Sequence, residues 1–592
     1  MSLTQGAKAS QACISCRKQK RKCDKTLPVC SLCARMGRPC DYSDVSPSVP
    51  TADDLASLHT RLAELEQRLR SPVASETSSG IFPDVGRQPV NGPLWLGPPS
   101  MNRFPSAIFL DIDCFKWAQL PIPKPNVDVP QDVYDILSHG NAVQEATAEY
   151  FDSVHHWFPI ISKKRMSLGI SLWEGGPDLA MLFLAMKLLT SQPIAGVDSA
   201  VDNHLYTASK RFLALLEGSG TLSLIHLQSM ILVTLYEFGH AIYPAAWMSV
   251  AMCARYIDVI GIPSFKESSL MLGSCATWTE SEERRRVWWA VYILDRAICL
   301  GNKRRYSLPE PEDNFILPVD DGAWDDGDPS RGLQASINTP AHQHQGPFAR
   351  LAQVSMLISQ TTTHCRTTVR NNLRNTAPPF DITSVQSLID NLISFGRIVQ
   401  SDLTSPSPPS ASLSPASTIT TITTTTSTST TTPEDRYFAL LTPRCLALSA
   451  LIQLLDVYSC PENLRDGPGP GGIDAPNPKT ADELAMQVRA ISGLRDASMA
   501  VRDLSLEMLE AVVLPAGQRR LSPLCLDALY AAMATLHWLW KESGDAVVGE
   551  ALEDVRRAIG RLAMRWRLAN EYLDMVHHHD VTTVMAWKGV SP

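Results

Sequence analysis

Six cysteines crowd into residues 13–40 of this 592-residue chain, and their spacing constrains the fold more than any other feature. Cys13, Cys16, Cys23, Cys30, Cys33 and Cys40 read C-x2-C-x6-C twice, each member of the first half recurring 17 residues on. A repeat of ligand spacing implies a pseudo-two-fold site. A tetrahedral zinc takes four ligands, so two zincs need eight bonds. Six thiolates supply eight bonds when two of them bridge both metals. Symmetry then makes the bridges an equivalent pair: Cys13 with Cys30, Cys16 with Cys33, or Cys23 with Cys40. The alternatives are a three-disulfide knot, or one four-cysteine zinc with two spare thiols. A knot suits a small secreted domain. Here the start, "MSLTQGAKASQAC", has no apolar signal core, and about 550 residues follow the cysteines.

Between Cys16 and Cys23 stand five cations: Arg17, Lys18, Lys20, Arg21 and Lys22. Two Zn²⁺ and six thiolates sum to a negative core that repels phosphate by itself, so these cations overcompensate it locally. Residues 1–40 hold nine Lys or Arg against one Asp, whereas the whole chain carries -8. A basic head on an acidic body points to a polyanion partner for the head alone. So small a domain cannot build an apolar core, and metal binding must supply most of its folding free energy. The run after Cys16 reads as a short helix whose end fits a major groove.

The stretch "CISCRKQKRKCDKTLPVCSLCARMGRPC", residues 13–40, resembles the fungal Zn2Cys6 binuclear cluster family of transcription factors, without a gap. The resemblance implies two Zn²⁺ cofactors held by all six cysteines, with Cys13 and Cys30 as the bridges. Arg17, Lys20 and Lys22 match the family's C-R-x-x-K-x-K-C run, and Pro28 matches its turn proline. It also implies a nuclear protein that binds double-stranded DNA at CGG-like triplets. Lys20 is then the residue expected on base edges, where guanine offers N7 and O6. Arg17, Lys18, Arg21 and Lys22 are expected on phosphates, setting register and salt dependence. A nuclear-import signal is the plainer use of such a basic run, and the two roles coexist.

Three base pairs are too few to single out a genomic site, at roughly 1–3 kcal/mol each. A tethered second copy adds its own readout. After a linker, 41–54, the leucines Leu55, Leu58, Leu62, Leu65 and Leu69 are spaced 3, 4, 3, 4, an a/d seam over 55–69. Arg61 and Glu66 fall at g and e, which attract across a parallel dimer. A coiled-coil homodimer is expected; a single amphipathic helix docking on its own body is the alternative.

Residues 71–105 are Pro/Gly/Ser-rich and expected to be a disordered linker. Beyond them the periodicity is helical, without alternating strand runs, so the class is all-α. "SLIHLQSMILVTLYEF" puts Leu224, Leu227, Ile231 and Leu235 on one face. In "TESEERRRVWWAVYILDRAICLG", Thr279 and Glu282 read as a capping box and Gly301 as the residue past the end. "WFPI", "LQSMILVTLYEF", "AAWMSVAMCARYIDVIGI" and "RRRVWWAVYILDR" resemble, in order, the family's middle homology domain, placed at 110–400. That resemblance implies a helical regulatory domain, sometimes responsive to a small-molecule effector. A Ser/Thr/Pro insertion at 404–433 is too low in complexity to bury a core, and a helical region follows at 434–592.

The remaining signals are weaker. "DDGAWDDGD", 320–328, reads as an acidic surface loop, with coactivator or transcription-machinery recruitment as its functional alternative. The eight cysteines outside the cluster read as small core residues. "GPGPGG", 467–472, follows no strand, and its prolines lack the donors a pyrophosphate needs. The "HHHD" at 577–580 reads as a solvated helix end. No membrane partner is expected, since no stretch reaches the length of an uninterrupted apolar span. No catalytic constellation appears, so the chain is not expected to be an enzyme. The reading is a sequence-specific regulator of RNA polymerase II genes for one pathway, with a secondary-metabolite gene cluster as the guess. Its rivals are a thiolate-cluster metal or redox sensor, an enzyme housed in the body, and a repressor instead of an activator.

Overall fold

Two five-residue helices, α1 (Ile14–Lys18) and α2 (Ser31–Arg35), frame the cysteine-rich head. Its backbone repeats with the cysteines. Arg17 donates to the Cys13 carbonyl at 3.0 Å, and 17 residues on Ala34 donates to the Cys30 carbonyl at 2.9 Å. Arg21 donates to Cys16 and Arg38 to Cys33, both at 3.0 Å. The pseudo-two-fold axis inferred from spacing is therefore present in the main chain. Cys13, Cys16, Cys30 and Cys33 are the buried centre, with Leu32 and Tyr42 packed beside them. That is too little apolar surface to hold a fold by itself.

The chain separates into two units, Met1–Trp95 and Leu96–Pro592. The computed structural model describes residues 9, 11–18 and 21–42 of the first unit. Of the second it describes 107–111, 113, 117, 127–167, 175–193, 200–262, 271–300, 304–373, 382–404, 432–459, 481–512 and 515–576. The leucine seam at 55–69, the linker 71–105, Gly301, "GPGPGG" and "HHHD" lie outside the described residues, as do 43–54 and 405–431.

The described body is helical, with a single isolated bridge between Ile316 and Ser336. In chain order its main helices are α3 (Gln131–Ser138), α4 (Ala142–Ser153), α5 (Pro177–Thr190) and α6 (His204–Gly218). Then come α7 (Leu224–Gly239), α8 (Ala245–Ile260), α9 (Trp278–Cys299) and the short α10 (Asp321–Asp326). The long α11 (Pro347–Leu373), α12 (Ile382–Thr404) and α13 (Pro433–Ser459) follow, then α14 (Ala481–Ala511), α15 (Leu526–Ser543) and α16 (Ala546–Ala563). Helix starts are capped by side chains, Asn203 on α6, Ser223 on α7 and Asp545 on α16. Gly261 and Gly544 close α8 and α15 in the left-handed region, where a Cβ is costly.

Four central helices are buried nearly all round instead of along one stripe. Helix α5 packs against α4, α6 and α7, and α7 also against α8 and α9. In α7 every residue from His226 to Gly239 is buried, so the expected single apolar face closes into a full circle. In α9 the buried run extends from Glu282 to Cys299. Helix α13 is covered by α11, α12, α14 and α15. An 18-residue window of it, with a mean hydropathy of 1.7, would suit a membrane crossing by length and composition, but 89% of that window is buried in the body. Helices α12 and α13, on either side of the 404–433 insertion, pack on each other.

Two local expectations are corrected. The capping box of α9 is Thr277 with Glu280, not Thr279 with Glu282. Thr277 Oγ1 accepts the Glu280 N–H at 3.2 Å, and Glu280 Oε2 accepts the Ala276 N–H at 3.0 Å. Glu282 is instead fully buried, accepting from Arg286 at 3.1 Å and from the Val319 N–H at 2.9 Å. The acidic 320–328 stretch is not a surface loop but contains α10, with Trp324 fully buried. Asp321 pairs with Arg286 at 2.6 Å, and the Arg286 guanidinium lies 4.3 Å from the Trp324 ring centroid. The Arg284–Arg286 run thus anchors the body internally. Of the other cysteines, Cys253, Cys299, Cys365, Cys445 and Cys525 are buried free thiols, whereas Cys275 is half-buried.

Candidate metal centre and nucleic-acid interface

The six cluster sulfurs fall into two overlapping sets of four. Cys13, Cys16, Cys23 and Cys30 form one, and Cys13, Cys30, Cys33 and Cys40 the other, each within 4.8 Å throughout. Sulfurs at the corners of a zinc tetrahedron with ~2.3 Å bonds stand about 3.8 Å apart. Here Cys13–Cys30 is 3.8 Å, Cys16–Cys30 is 3.7 Å and Cys13–Cys33 is 3.7 Å. The last two distances are equivalent under the 17-residue repeat. Cys16 and Cys33, one from each set, also approach to 3.9 Å. The donors fit two tetrahedral ions, and of the three pairs left open by spacing, Cys13 and Cys30 are the pair common to both sets.

Backbone N–H groups aim at individual sulfurs. The Cys33 N–H donates to Cys30 Sγ at 3.4 Å and the Cys30 N–H to Cys40 Sγ at 3.3 Å. These donors hold the Cys30 and Cys40 thiols below their ordinary pKa, and the Cys13 backbone does the same for Cys23. Burial pushes Cys13, Cys16 and Cys33 up, Cys33 to about 12. A dication arriving at such thiols favours the thiolate, so metal loading releases protons.

Two residues outside the cysteine pattern brace the halves. Asp24 accepts from Thr26 Oγ1 at 2.6 Å, from the Ser31 N–H at 3.1 Å and from the Ser31 hydroxyl. Those bonds, the Ser31 hydroxyl first, lower its pKa to about 2. Tyr42 donates to the Thr26 carbonyl at 3.1 Å and lies 3.9 Å from Cys23 Sγ. Neither stood out from spacing. Asp24 is legible in retrospect as the sole acid of residues 1–40, whereas Tyr42 lies beyond the last cysteine.

Arg17 is exposed on α1, with its guanidinium 3.3 Å from the Ala12 carbonyl. Arg21 and Lys22 are also exposed, past the end of α1. Lys18 is the last residue of α1, its side chain outside the described set, and Lys20 lies outside the described residues. Moving 17 residues on from Arg17, Lys18, Lys20, Arg21 and Lys22 gives Ala34, Arg35, Gly37, Arg38 and Pro39. The backbone is nearly two-fold, but the charge is not: the first half carries five cations at positions where the second carries two.

Residues 11–48 match the fungal Zn(2)-Cys(6) binuclear cluster domain, and residues 148–427 the fungal specific transcription factor domain. Transcription factor BOA15 of Botryotinia fuckeliana is 35% identical over 154 residues, covering 26% of this chain and 84% of that protein. The azaphilone cluster-specific transcription factor azaR of Aspergillus niger is 24% identical over 398 residues, 64% of this chain and 77% of its own. The citrinin biosynthesis transcriptional activator mrl3 of Monascus ruber is 24% identical over 390 residues, 61% and 74%. The chain belongs to the fungal Zn2Cys6 transcription factors. It is a DNA-binding regulator of transcription, not an enzyme, and its cluster domain binds two zinc ions.

Proposed function

We propose that the chain is a nuclear, pathway-specific activator of a biosynthetic gene cluster, binding paired CGG-like triplets as a homodimer. The observation that carries the pathway reading is the naming of azaR and mrl3 as regulators of biosynthesis, over more than half of this chain. At the head, all six cysteines hold the zincs, Cys13 and Cys30 touching both. Lys20 reads guanine edges while Arg17, Lys18, Arg21 and Lys22 hold phosphates. The one-sided loading of cations supports a single reading half. The second half then serves as its brace. Leu55, Leu58, Leu62, Leu65 and Leu69 join two copies, and the helical body at 110–400 receives a small-molecule effector and contacts coactivators.

Genome-wide occupancy of the tagged full chain, with transcript levels in a deletion strain, tests this reading. Occupied promoters should carry paired CGG-like triplets beside contiguous biosynthetic genes, whose transcripts fall on deletion. Single triplets at occupied sites would remove the homodimer. Rising transcripts would make the protein a repressor.

A further inference from the structure

The Ser/Thr/Pro insertion re-enters the body at Thr432–Pro433, a Thr-Pro step built into the start of α13. Thr432 is exposed and non-helical, as a residue before proline should be. Its Oγ1 accepts the Asp435 N–H at 3.1 Å, and Asp435 Oδ2 accepts the Thr432 N–H at 3.2 Å. The other oxygen of Asp435 accepts from Arg520 at 3.1 Å. Arg520 also bonds the Asp152 carboxylate at 3.0 Å and its carbonyl at 3.1 Å, at the end of α4. His156 Nδ1 stands 3.6 Å from Asp435. One guanidinium thus ties three pieces distant in sequence: the end of α4, the start of α13 and the short helix Pro515–Arg520.

We propose that Thr432 is a phosphoacceptor for a proline-directed protein kinase, and that its phosphate draws Arg520 away from Asp152. The kinase transfers the γ-phosphoryl group of ATP to Thr432 Oγ1. The new O–P bond replaces the bond to ADP, and the hydroxyl proton leaves to the kinase's base. The product carries about -1.5 to -2 charge and three strong acceptors, on a hydroxyl already bonded to the residue that holds Arg520. The doubled charge and bidentate geometry favour Arg520 over a single carboxylate. The helix N-terminus accepts the added charge, because its first N–H groups and dipole favour an anion. Asp152 then loses its partner, and of the ion pairs between α4 and the Pro515–Arg520 helix only Arg519–Glu149, at 3.3 Å, is kept. Ser405, Ser407 and Ser414 also precede prolines. Among the described residues, Thr432 is the Thr-Pro step wired to Arg520.

The test uses the full chain, ATP and a recombinant proline-directed kinase, read by mass spectrometry and hydrogen exchange. Thr432 should be phosphorylated. Amides at 149–154 and 515–521 should then exchange about 10-fold faster, with those at 434–438 still protected. Thr432→Ala should do the opposite, loosening 434–438 alone by removing the cap. Arg520→Gln should loosen 149–154 without phosphate and leave phosphate nothing further to release there. Absence of phosphate at Thr432 while Ser405, Ser407 or Ser414 is modified would overturn the site. Phosphate with unchanged exchange at 149–154 and 515–521 would overturn the switch.

Discussion

The Cys13 and Cys30 sulfurs stand 3.8 Å apart, and these two belong to both four-sulfur sets. Removing either would leave both sets with three sulfurs, whereas removing Cys40 would spoil one set. Zinc per chain in the isolated protein should therefore drop close to zero in Cys13→Ala and Cys30→Ala. Cys40→Ala should retain about one ion, since a four-thiolate site remains intact. Equal losses across the three variants would refute the bridging pair.

Tyr42 offers a subtler prediction. Its hydroxyl donates to the Thr26 carbonyl and approaches Cys23 Sγ, so it closes the loop between the halves. Tyr42→Phe removes one hydrogen bond, worth about 1 kcal/mol, without changing the ring's packing. Zinc transfer to a chelating dye should run several-fold faster, with stoichiometry unchanged. An unaltered transfer rate would leave the hydroxyl without a role in the cluster.

The cap on α9 separates two candidates one half-turn apart. Thr277→Ala should destabilise the body by about 1 kcal/mol, the usual cost of losing a threonine N-cap. Thr279→Ala should be nearly silent, because Thr279 serves Trp324 Nε1 through its carbonyl, which alanine keeps. Chemical denaturation of the two variants side by side decides between them.

That pair also shows where the sequence stops being informative. Thr277-x-x-Glu280 and Thr279-x-x-Glu282 both satisfy the capping pattern, and local chemistry cannot rank them. What decides is tertiary: Glu282 is needed by Arg286 and the Val319 N–H, contacts that local patterning does not contain. The same cause misleads at 320–328, where five acids and a tryptophan look solvent-facing until Arg286 and the Trp324 pocket are in place. The cluster was legible because a metal site writes its geometry into spacing. Helices such as α7 were legible as helices, but not as surrounded ones, since burial on every side depends on neighbours far along the chain.

Glu282 itself is predicted to be among the most sensitive positions in the body. It and Arg286 are fully buried, and Arg286 shares Asp321 and the Val319 carbonyl. Glu282→Ala leaves Val319 N–H unmet and weakens the compensation of a buried guanidinium. Breaking one side of a buried pair costs about 3–5 kcal/mol, so the variant should unfold at markedly lower denaturant than Thr277→Ala. Replacing an exposed partner, as in Arg255→Ala against Asp258, should change stability by well under 1 kcal/mol.

His226 sets an acid limit on the body. It is fully buried in α7, with neither ring nitrogen hydrogen-bonded among the described residues, and Tyr256 of α8 lies 5.4 Å away between ring centroids. Burial lowers its pKa to about 4, against a weak opposing pull from Asp178 at the start of α5. The unfolded chain, with a histidine pKa of ~6.5, therefore binds more protons than the native state between those values. Stability from this group is complete above ~6.5 and is lost as pH falls toward about 4, amounting to about 2 kcal/mol at pH 5. His226→Leu, which keeps the site apolar and similar in size, should flatten that part of the pH dependence. His240, depressed by burial and by Arg565 and Arg567 to about 3, retains its own share in the variant. Denaturation midpoints at pH 7.5 and pH 5 for wild type and His226→Leu measure the difference. Parallel shifts in the two proteins would mean that His226 is not the group that takes up the proton.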